Sequence, residues 1–325
     1  MVHQWEIPEA RKCAILITAR GTISPWRNVK KQCKILQLKI ILIFCILWKE
    51  IIYLGFFQDK KMTNETYFKK SVNERLEIIS KELNEYQDIF KVSVDNNELI
   101  ITYIPYNLEF VYVPSGSLMR GLSEKEYQRA LKICPEKPFD EKEMRPVTEI
   151  SISNFLVTRT PILNGFISKY IDVSYYPSEK MYAAYVTKEM ADLLCSNLSL
   201  RLPTESEWEY FTRSGSTDLF TFGNELPEDS ELEKWLSFDF SDLNKLKCNN
   251  FGIYGLFSGE WSNSRYQRNY NIDEMKGEEF SIRSGGAYFW PWQDNEWIWC
   301  MSAMRMPSSD LLDGKCGFRL VFELK

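Results

Sequence analysis

Histidine is nearly absent from this chain of 325 residues, since the only one is His3. A Ser-His-Asp triad, a Cys-His pair and histidine-rich zinc or iron sites all require imidazole groups. None of these sites can be built from residues 4–325. Chemistry in this protein would have to use thiols, carboxylates, lysines, tyrosines or backbone groups.

Paired cysteine motifs are also absent, because no two of the eight cysteines are separated by two residues. This spacing excludes a zinc knuckle and a thioredoxin-like redox pair. Three cysteines precede residue 62, and the other five are widely spaced: Cys134, Cys195, Cys248, Cys300 and Cys316. We expect reduced thiols, most of them buried as small hydrophobic side chains.

Positive charge is scarce after the first 61 residues. Residues 1–61 hold eleven Lys/Arg and four Asp/Glu, a formal charge of +7, so the net charge of −5 for the whole chain leaves −12 on residues 62–325. Nucleic-acid binding requires clustered basic side chains that displace phosphate counterions. We therefore expect no nucleic-acid partner for the acidic body.

A clean membrane span is missing as well. Two apolar runs, Ile40–Trp48 and Ile51–Phe57, are separated by two charged residues, and each charge near mid-bilayer costs about 2.5–3.5 kcal/mol. Three alternatives remain for residues 1–61: a gene-model artefact with translation starting at Met62, a weak membrane anchor at residues 38–57, and a folded extension. We expect a cytoplasmic protein, whereas an anchor would leave the acidic body exported.

Hydrophobic periodicity after residue 62 predicts a mixture of helices and strands. Helices are predicted over 63–90, from Thr160-Pro161 to Tyr170, from Thr187 to Asn197, and after Pro203, where Thr204 and Glu207 form a capping box. Strands are predicted in the segments "ELIITYIP", "LEFVYVPSGSLMRG" and "EISISNFLVTR", and a charged loop over Asp140–Arg145. This pattern indicates an α+β fold.

An ordered series of short motifs runs from about Leu108 to Val321. The motifs are "FVYVPSGSLMRG", "RPVTEISISNFLVTRTPILNGFISKY", "RLPTESEWEY", "FTFGNEL", "FGIYGLFSGEWS", "IRSGGAY", "MSAMR" and "GFRLV". Together they resemble the sulfatase-modifying factor, or formylglycine-generating enzyme, family. The resemblance implies one compact α+β domain related to the C-type lectin-like fold, with little regular secondary structure. The predicted organisation is an extension at 1–61, a helix and strand lead-in at 62–105, and the family-like domain at 106–325.

The resemblance implies that most motif residues are structural, because the family's motifs build an aromatic core, buried arginine pairs and glycine turns. We expect a scaffold role for the residues that match them most closely. These residues are Arg201, Glu205, Trp208, Glu209, Arg305 and Arg319.

The chemistry of the family does not carry over in the same way. In its active enzymes, two cysteines that follow a Gly-Gly-Ser-Tyr motif bind copper and oxidise a substrate cysteine to formylglycine, and paired thiolates suit monovalent copper. The matching motif here, residues 285–288, has Ala287 in place of the serine. Trp290 stands at the first cysteine position, and no cysteine occurs from Gly286 to Trp299. We expect no copper and a buried structural Cys300, with a displaced catalytic thiol as the alternative.

The calcium sites that the resemblance implies are shortened in this chain. The loop that should bind calcium is reduced to residues 258–261, and Glu233–Trp235 occupies the place of an expected asparagine. Calcium requires about six to eight oxygen ligands. We expect no cofactor, and we keep calcium, bound by Asn224 and Glu260, as the alternative.

Aromatic residues, 14% of the chain, concentrate in its C-terminal half. We predict a binding surface there for a protein or small-molecule ligand. Its residues are Trp261, Tyr288, Trp290, Trp292, Trp297 and Trp299. The preferred function is a binding module without copper chemistry. The alternatives are an oxidoreductase that converts a protein cysteine to formylglycine or performs related oxygen-dependent chemistry, and a ligand-variable module.

Overall fold

A computed structural model of the chain describes residues 64–95, 98–136, 139–271, 276–284, 297–311 and 313–325, without the side chains of Glu65 and Trp297. The helices are α1 (Asn64–Phe68), α2 (Val72–Glu82), α3 (Glu124–Ile133), α4 (Asn164–Ile167), α5 (Lys188–Leu198), α6 (Glu205–Arg213) and α7 (Asp229–Trp235). The strands are β1 (Phe90–Asp95), β2 (Glu98–Tyr103), β3 (Leu108–Val113), β4 (Gly116–Arg120), β5 (Thr148–Ile152), β6 (Phe155–Thr158), β7 (Glu260–Arg265), β8 (Phe280–Arg283), β9 (Arg305–Pro307) and β10 (Val321–Glu323). None of the helices in these ranges has the length and apolarity to cross a membrane. The predicted α+β class is confirmed.

The strands form three antiparallel sheets. The largest has the order β1-β2-β3-β6-β10, so its first three strands are neighbours in sequence while β6 and β10 join from far along the chain. The smaller sheets are β4-β5 and β7-β8-β9. The central strand β3, "LEFVYV", is rich in β-branched and aromatic residues, which favour a pleated buried position. The strands of the predicted lead-in therefore share one sheet with the family-like segment.

The single helix predicted over 63–90 is wrong. Ser71 starts a new helix, because its hydroxyl accepts from the amide of Glu74 while the Glu74 carboxylate accepts from the amide of Ser71 at 2.8 Å. Helix α2 ends at Glu82, and strand β1 begins at Phe90. The ring of Phe90 stacks on Tyr103 at 5.0 Å, so a partner on strand β2 determines its conformation.

The helix predicted from Thr160 is also wrong in its start and length. Helix α4 begins at Asn164 and has four residues, with no side-chain cap. Residues before it are extended instead: the Ile162 amide donates to the Phe318 carbonyl at 2.9 Å, and the Ile162 carbonyl accepts from Ala184 at 2.8 Å. These long-range backbone contacts override the local Thr-Pro signal.

Two helices agree with their sequence signals. Thr187 caps α5 by accepting from the amide of Met190, and the Thr204–Glu207 capping box begins α6. Two of the predicted strands are each divided, into β3 and β4 and into β5 and β6, and Asp140–Arg145 contains a short 3-10 helix. The described residues belong to one compact unit with two large hydrophobic clusters, one around Trp208 and the main sheet and one around Met301.

Candidate functional site

The signature segment folds as α6, and its inward face enters a buried polar network. The Thr204 hydroxyl accepts from the amide of Glu207 at 3.2 Å, and the Glu207 carboxylate accepts from the amide of Thr204 at 2.8 Å. Positions three and four apart share one helix face, which directs Glu205, Trp208 and Glu209 into the core, where all three are fully buried. Buried carboxylates require charged partners, and both have them.

Glu209 is held between two guanidinium groups. Arg213 Nε lies 2.9 Å from Oε1 and Arg283 Nη2 lies 3.0 Å from Oε2, while the amide of Gly121 donates to Oε1 at 2.9 Å. Burial raises the pKa of Glu209, but the charges of Arg213 and Arg283 outweigh burial, so its pKa lies below the usual value. Glu209 therefore stays ionised and does not serve as a proton donor at neutral pH.

Glu205 and Arg201 complete the set of charged residues around α6. Arg305 Nε lies 2.7 Å from Glu205 Oε1, and the hydroxyl of Ser281 donates to the same oxygen. Arg201, at the edge, pairs with Glu207 at 2.7 Å and with Glu323 at 3.5 Å. These contacts join helix α6 to strands β8, β9 and β10.

Glu260 at the start of β7 has no oxygen left for a metal ion. Arg319 lies within 2.7 Å of both carboxylate oxygens, and the indole of Trp208 donates to Oε2 at 2.9 Å. Arg319 also donates to the carbonyls of Tyr254 and Thr158. All of these side chains are buried, so a cation at Glu260 would have to displace a desolvated guanidinium group.

Asn224, the second residue of the calcium alternative, also has hydrogen-bond partners on its side-chain atoms. Its Oδ1 accepts from the amide of Leu219 at 3.1 Å and from the guanidinium of Arg129, and its Nδ2 donates to Asp218. A guanidinium group on the ligating oxygen repels a cation. The described ranges contain no group of three acidic, cysteine or histidine side chains that could hold a metal. Asn224 and Glu260 therefore do not fit calcium.

Cys300 does not fit the role of a catalytic or copper-binding thiol. It is buried, its sulfur donates to the Phe257 carbonyl at 3.9 Å, and burial raises its pKa to about 12. At neutral pH the thiolate that metal binding and nucleophilic attack need is almost absent. Cys316, the next cysteine in the sequence, is also a free buried thiol and belongs to the other hydrophobic cluster. No described thiol therefore completes a copper pair with Cys300.

One residue of the predicted aromatic surface lies in the core. Trp261 is 2% exposed, and its indole donates to the Val186 carbonyl at 2.8 Å, so its prediction as a surface residue is wrong. Trp299 is half-buried against the Met301 cluster. Trp297 begins a short 3-10 helix, but its side chain lies outside the described part. Tyr288, Trp290 and Trp292 fall outside the described residues altogether.

A polar cavity that sequence reasoning missed lies outside the network around α6. It has a volume of about 180 Å³ and lies among α1, α2, β2, β3, the segment after β6 and the turn at 248–252. Its wall combines charged, thiol and aromatic groups. They include Tyr67, Arg75, Glu98, Arg159, Cys248 and Phe251.

Arg159 is the paired charge of this cavity. Its guanidinium contacts the carboxylates of Glu98 and Glu109, the latter at 3.3 Å, and lies over the ring of Tyr254 at 5.3 Å. The thiol of Cys248 lies 3.9 Å from Glu98 Oε1, and burial raises its pKa. The Cys248 thiol is therefore a neutral donor to an already ion-paired carboxylate.

Arg75 is the cation of this cavity that has no carboxylate partner among the described residues. Its Nε is buried and has no hydrogen-bond partner, and the guanidinium lies 5.7 Å from the ring centre of Tyr67. Among the described residues no carboxylate lies within ion-pairing distance of it. Glu98 and Arg159 are 61 positions apart in the sequence, and no local pattern shows that they meet beside Arg75.

Comparison with known proteins identifies the region that contains α6. The family model of the sulfatase-modifying factor enzyme 1-like domain matches residues 170–324. A serine/threonine-protein kinase, pkn1 of Chlamydia caviae, is 23% identical over 214 residues, which cover 56% of this chain and 32% of that protein. The chain therefore spans about a third of the length of the curated relative that it matches.

Three solved structures are similar in shape at low sequence identity. PvdO from Pseudomonas aeruginosa has a TM-score of 0.49 and 19% identity, over 69% of this chain and 98% of that one. Treponema denticola variable protein 1 has a TM-score of 0.43 and 14% identity, over 72% and 98%. CarF has a TM-score of 0.36 and 16% identity, over 68% and 100%.

Proposed function

We propose that this chain, which carries a domain of the sulfatase-modifying factor family at residues 170–324, is a binding module without the copper chemistry of the family's active enzymes. The observation that carries the proposal is the state of Cys300, the thiol nearest to the expected copper position in sequence. It is buried, its pKa is raised to about 12, and no described thiol accompanies it.

The buried network around α6 supports the same conclusion. Glu205, Glu209 and Glu260 all form ion pairs with buried arginines, and Glu209 remains ionised because of its two arginine partners. The lowered pKa of Glu209 makes it a poor proton donor and a weak base. The buried ion pairs therefore favour a scaffold over a catalytic centre.

The ligand that we propose is a protein or a small molecule, recognised in part by the aromatic residues that surround Trp299 in the sequence. Nucleic acid is not proposed, because residues 62–325 carry a formal charge of −12. The proposal includes no metal cofactor, since the oxygens of Asn224 and Glu260 already accept hydrogen bonds from cationic side chains.

Kinase activity is not part of the proposal, although one relative is named as a serine/threonine-protein kinase. The chain matches only 32% of that protein. It contains neither a His-Arg-Asp nor an Asp-Phe-Gly triplet, the segments that hold the catalytic aspartates of most protein kinases.

Copper binding and oxygen consumption test this function. The full chain is titrated with cuprous ion and then incubated with oxygen and a cysteine-containing peptide. The matched variants are Cys300→Ala and a triple Cys→Ser change at Cys13, Cys33 and Cys45, which removes the three thiols that precede residue 62. We expect no oxygen consumption in any of them. Turnover that survives the triple change and disappears in Cys300→Ala would overturn the proposal.

A further inference from the structure

We propose that the cavity beside Arg75 binds a small organic monocarboxylate, a site separate from the function proposed above. The cavity is formed where the lead-in, α1 to β3, packs against the segment after β6 and the turn at 248–252. The family match starts at residue 170 and therefore includes only the turn. Most of the cavity wall is therefore formed by residues that precede the family match.

Charge accounts for the anionic part of the ligand. The cavity wall holds two guanidinium groups, Arg75 and Arg159, and one carboxylate, Glu98. Arg159 is already compensated by Glu98 and by Glu109 outside the cavity, whereas Arg75 has a buried Nε without a partner. A planar guanidinium group matches a carboxylate through two parallel hydrogen bonds, which supplies the missing acceptor.

The same wall favours a monoanion over a phosphate dianion. Glu98 places a carboxylate in the cavity, and a second negative charge on the ligand would increase repulsion from it. The phenol of Tyr67 stays protonated at neutral pH, because burial raises its pKa to about 12, so it adds no further negative charge. One negative charge on the ligand, paired with Arg75, brings the net charge of the cavity wall and ligand to zero.

Shape and the remaining wall account for the ligand body. Ile79, Val111 and Phe251 add apolar surface to the cavity wall. A volume of about 180 Å³ corresponds to about six water molecules at the volume they occupy in the liquid. This size suits a compact organic acid with a ring or branched chain.

The turn that closes the cavity is held in place before any ligand binds. Asn249 Nδ2 donates to the Phe211 carbonyl at 2.7 Å, and its Oδ1 accepts from the amides of Phe251 and Ile253. Gly252 lies at φ +80°, and the nearest atom to a Cβ built there is Val111 Cγ1 at 3.9 Å. A fixed wall reduces the ordering cost of binding.

Calorimetric titration of the full chain tests the site with benzoate as the probe and benzamide as its neutral counterpart of the same shape. We expect benzoate to bind and benzamide not to bind. Arg75→Gln should weaken benzoate binding about tenfold to a hundredfold, because it removes a charge-assisted hydrogen bond. Lys81→Gln, an exposed charge change on the same helix, should leave the affinity unchanged.

A second variant keeps the test decisive if Arg75→Gln alters folding. Leu99→Trp enlarges a half-buried wall residue into the cavity and should abolish benzoate binding while the melting temperature is retained. The proposal is overturned if benzamide binds as tightly as benzoate, if inorganic phosphate binds more tightly than benzoate, if Arg75→Gln folds and binds normally, or if benzoate does not bind. The copper and oxygen assay on the same proteins reports separately on the proposed function.

Discussion

Two groups of buried charge in this molecule differ in how completely they are paired. Around α6, Glu209 and Glu260 have every oxygen hydrogen-bonded to arginine, indole or backbone donors. Buried nitrogens without a hydrogen-bond partner occur in both groups, at Arg283 and Arg305 near α6 and at Arg75 on α2. Arg283 and Arg305 each lie beside a glutamate, whereas Arg75 has no carboxylate partner among the described residues. A charge that is fully compensated inside the protein stabilises the fold, whereas an uncompensated one beside empty volume attracts a ligand. The presence or absence of a counter-charge therefore distinguishes the two groups.

The largest expected effect follows from removing Glu260. In Glu260→Ala, Arg319 would remain buried without its counter-charge, which costs about 3–5 kcal/mol of unfolding free energy. Urea unfolding followed by circular dichroism measures the loss. Glu323→Ala, which removes an exposed partner of Arg201, serves as the control and should change stability little.

If Glu260→Ala does not fold, Glu260→Gln provides the measurement, because its amide oxygen still accepts from the Trp208 indole. Equal stability of the Glu260 variants and Glu323→Ala would break the comparison, since the ion pair would then contribute nothing.

The pH dependence of stability is the next test. The pKa of Glu209 is lower in the folded protein than its usual 4.5, so its ionised form stabilises the fold above that pH and the contribution is lost as pH falls through the folded value. Glu209→Gln should therefore be less stable than the natural chain at pH 7, by a margin that shrinks below pH 4.5. Urea unfolding of both proteins between pH 7 and 3 checks this, and a constant margin would contradict it.

The capping boxes of α2 and α6 allow the stability of the lead-in to be compared with that of the family-like domain. Thr204→Ala removes the cap of α6 and should cost about 1 kcal/mol. Ser71→Ala removes the equivalent cap of α2 and should cost about the same in the same unfolding transition, because α2 packs on β1 and β2. A separate early transition in Ser71→Ala would show that the lead-in unfolds independently.

The smallest expected effect on stability comes from Arg75. Since Arg75 compensates no carboxylate among the described residues, Arg75→Gln should change the unfolding free energy by no more than about 0.5 kcal/mol. Arg213→Gln, which breaks buried contacts to Glu126 and Glu209, is the contrasting control. Equal losses in the two variants would mean that Arg75 is structural, which would also weaken its assignment to a ligand.

Sequence predicted those parts of the fold that local chemistry decides. The caps at Thr187 and Thr204 depend on contacts within four residues, so their helices were predicted correctly. The helix expected from Thr160 failed because the backbone of Ile162 pairs with Phe318, more than 150 positions away. Local propensity contains no information about such a contact.

The candidate sites show the same limit. The missing cysteine pair could be read from sequence, but burial of Trp261 could not, because it depends on the distant carbonyl of Val186. The cavity was missed because Arg75 resembles any charged residue of an amphipathic helix. Its distinction is the absence of a partner, which only the folded arrangement of Glu98 and Arg159 reveals.

The bond between Glu260 and Arg319 also has a consequence during synthesis. Arg319 joins the growing polypeptide 59 residues after Glu260, and strand β10 follows it. Before Arg319 emerges from the ribosome, the carboxylate of Glu260 has no guanidinium partner. Strand β6 then also lacks its neighbour β10. The interior of the domain can therefore close completely only after Arg319 has emerged.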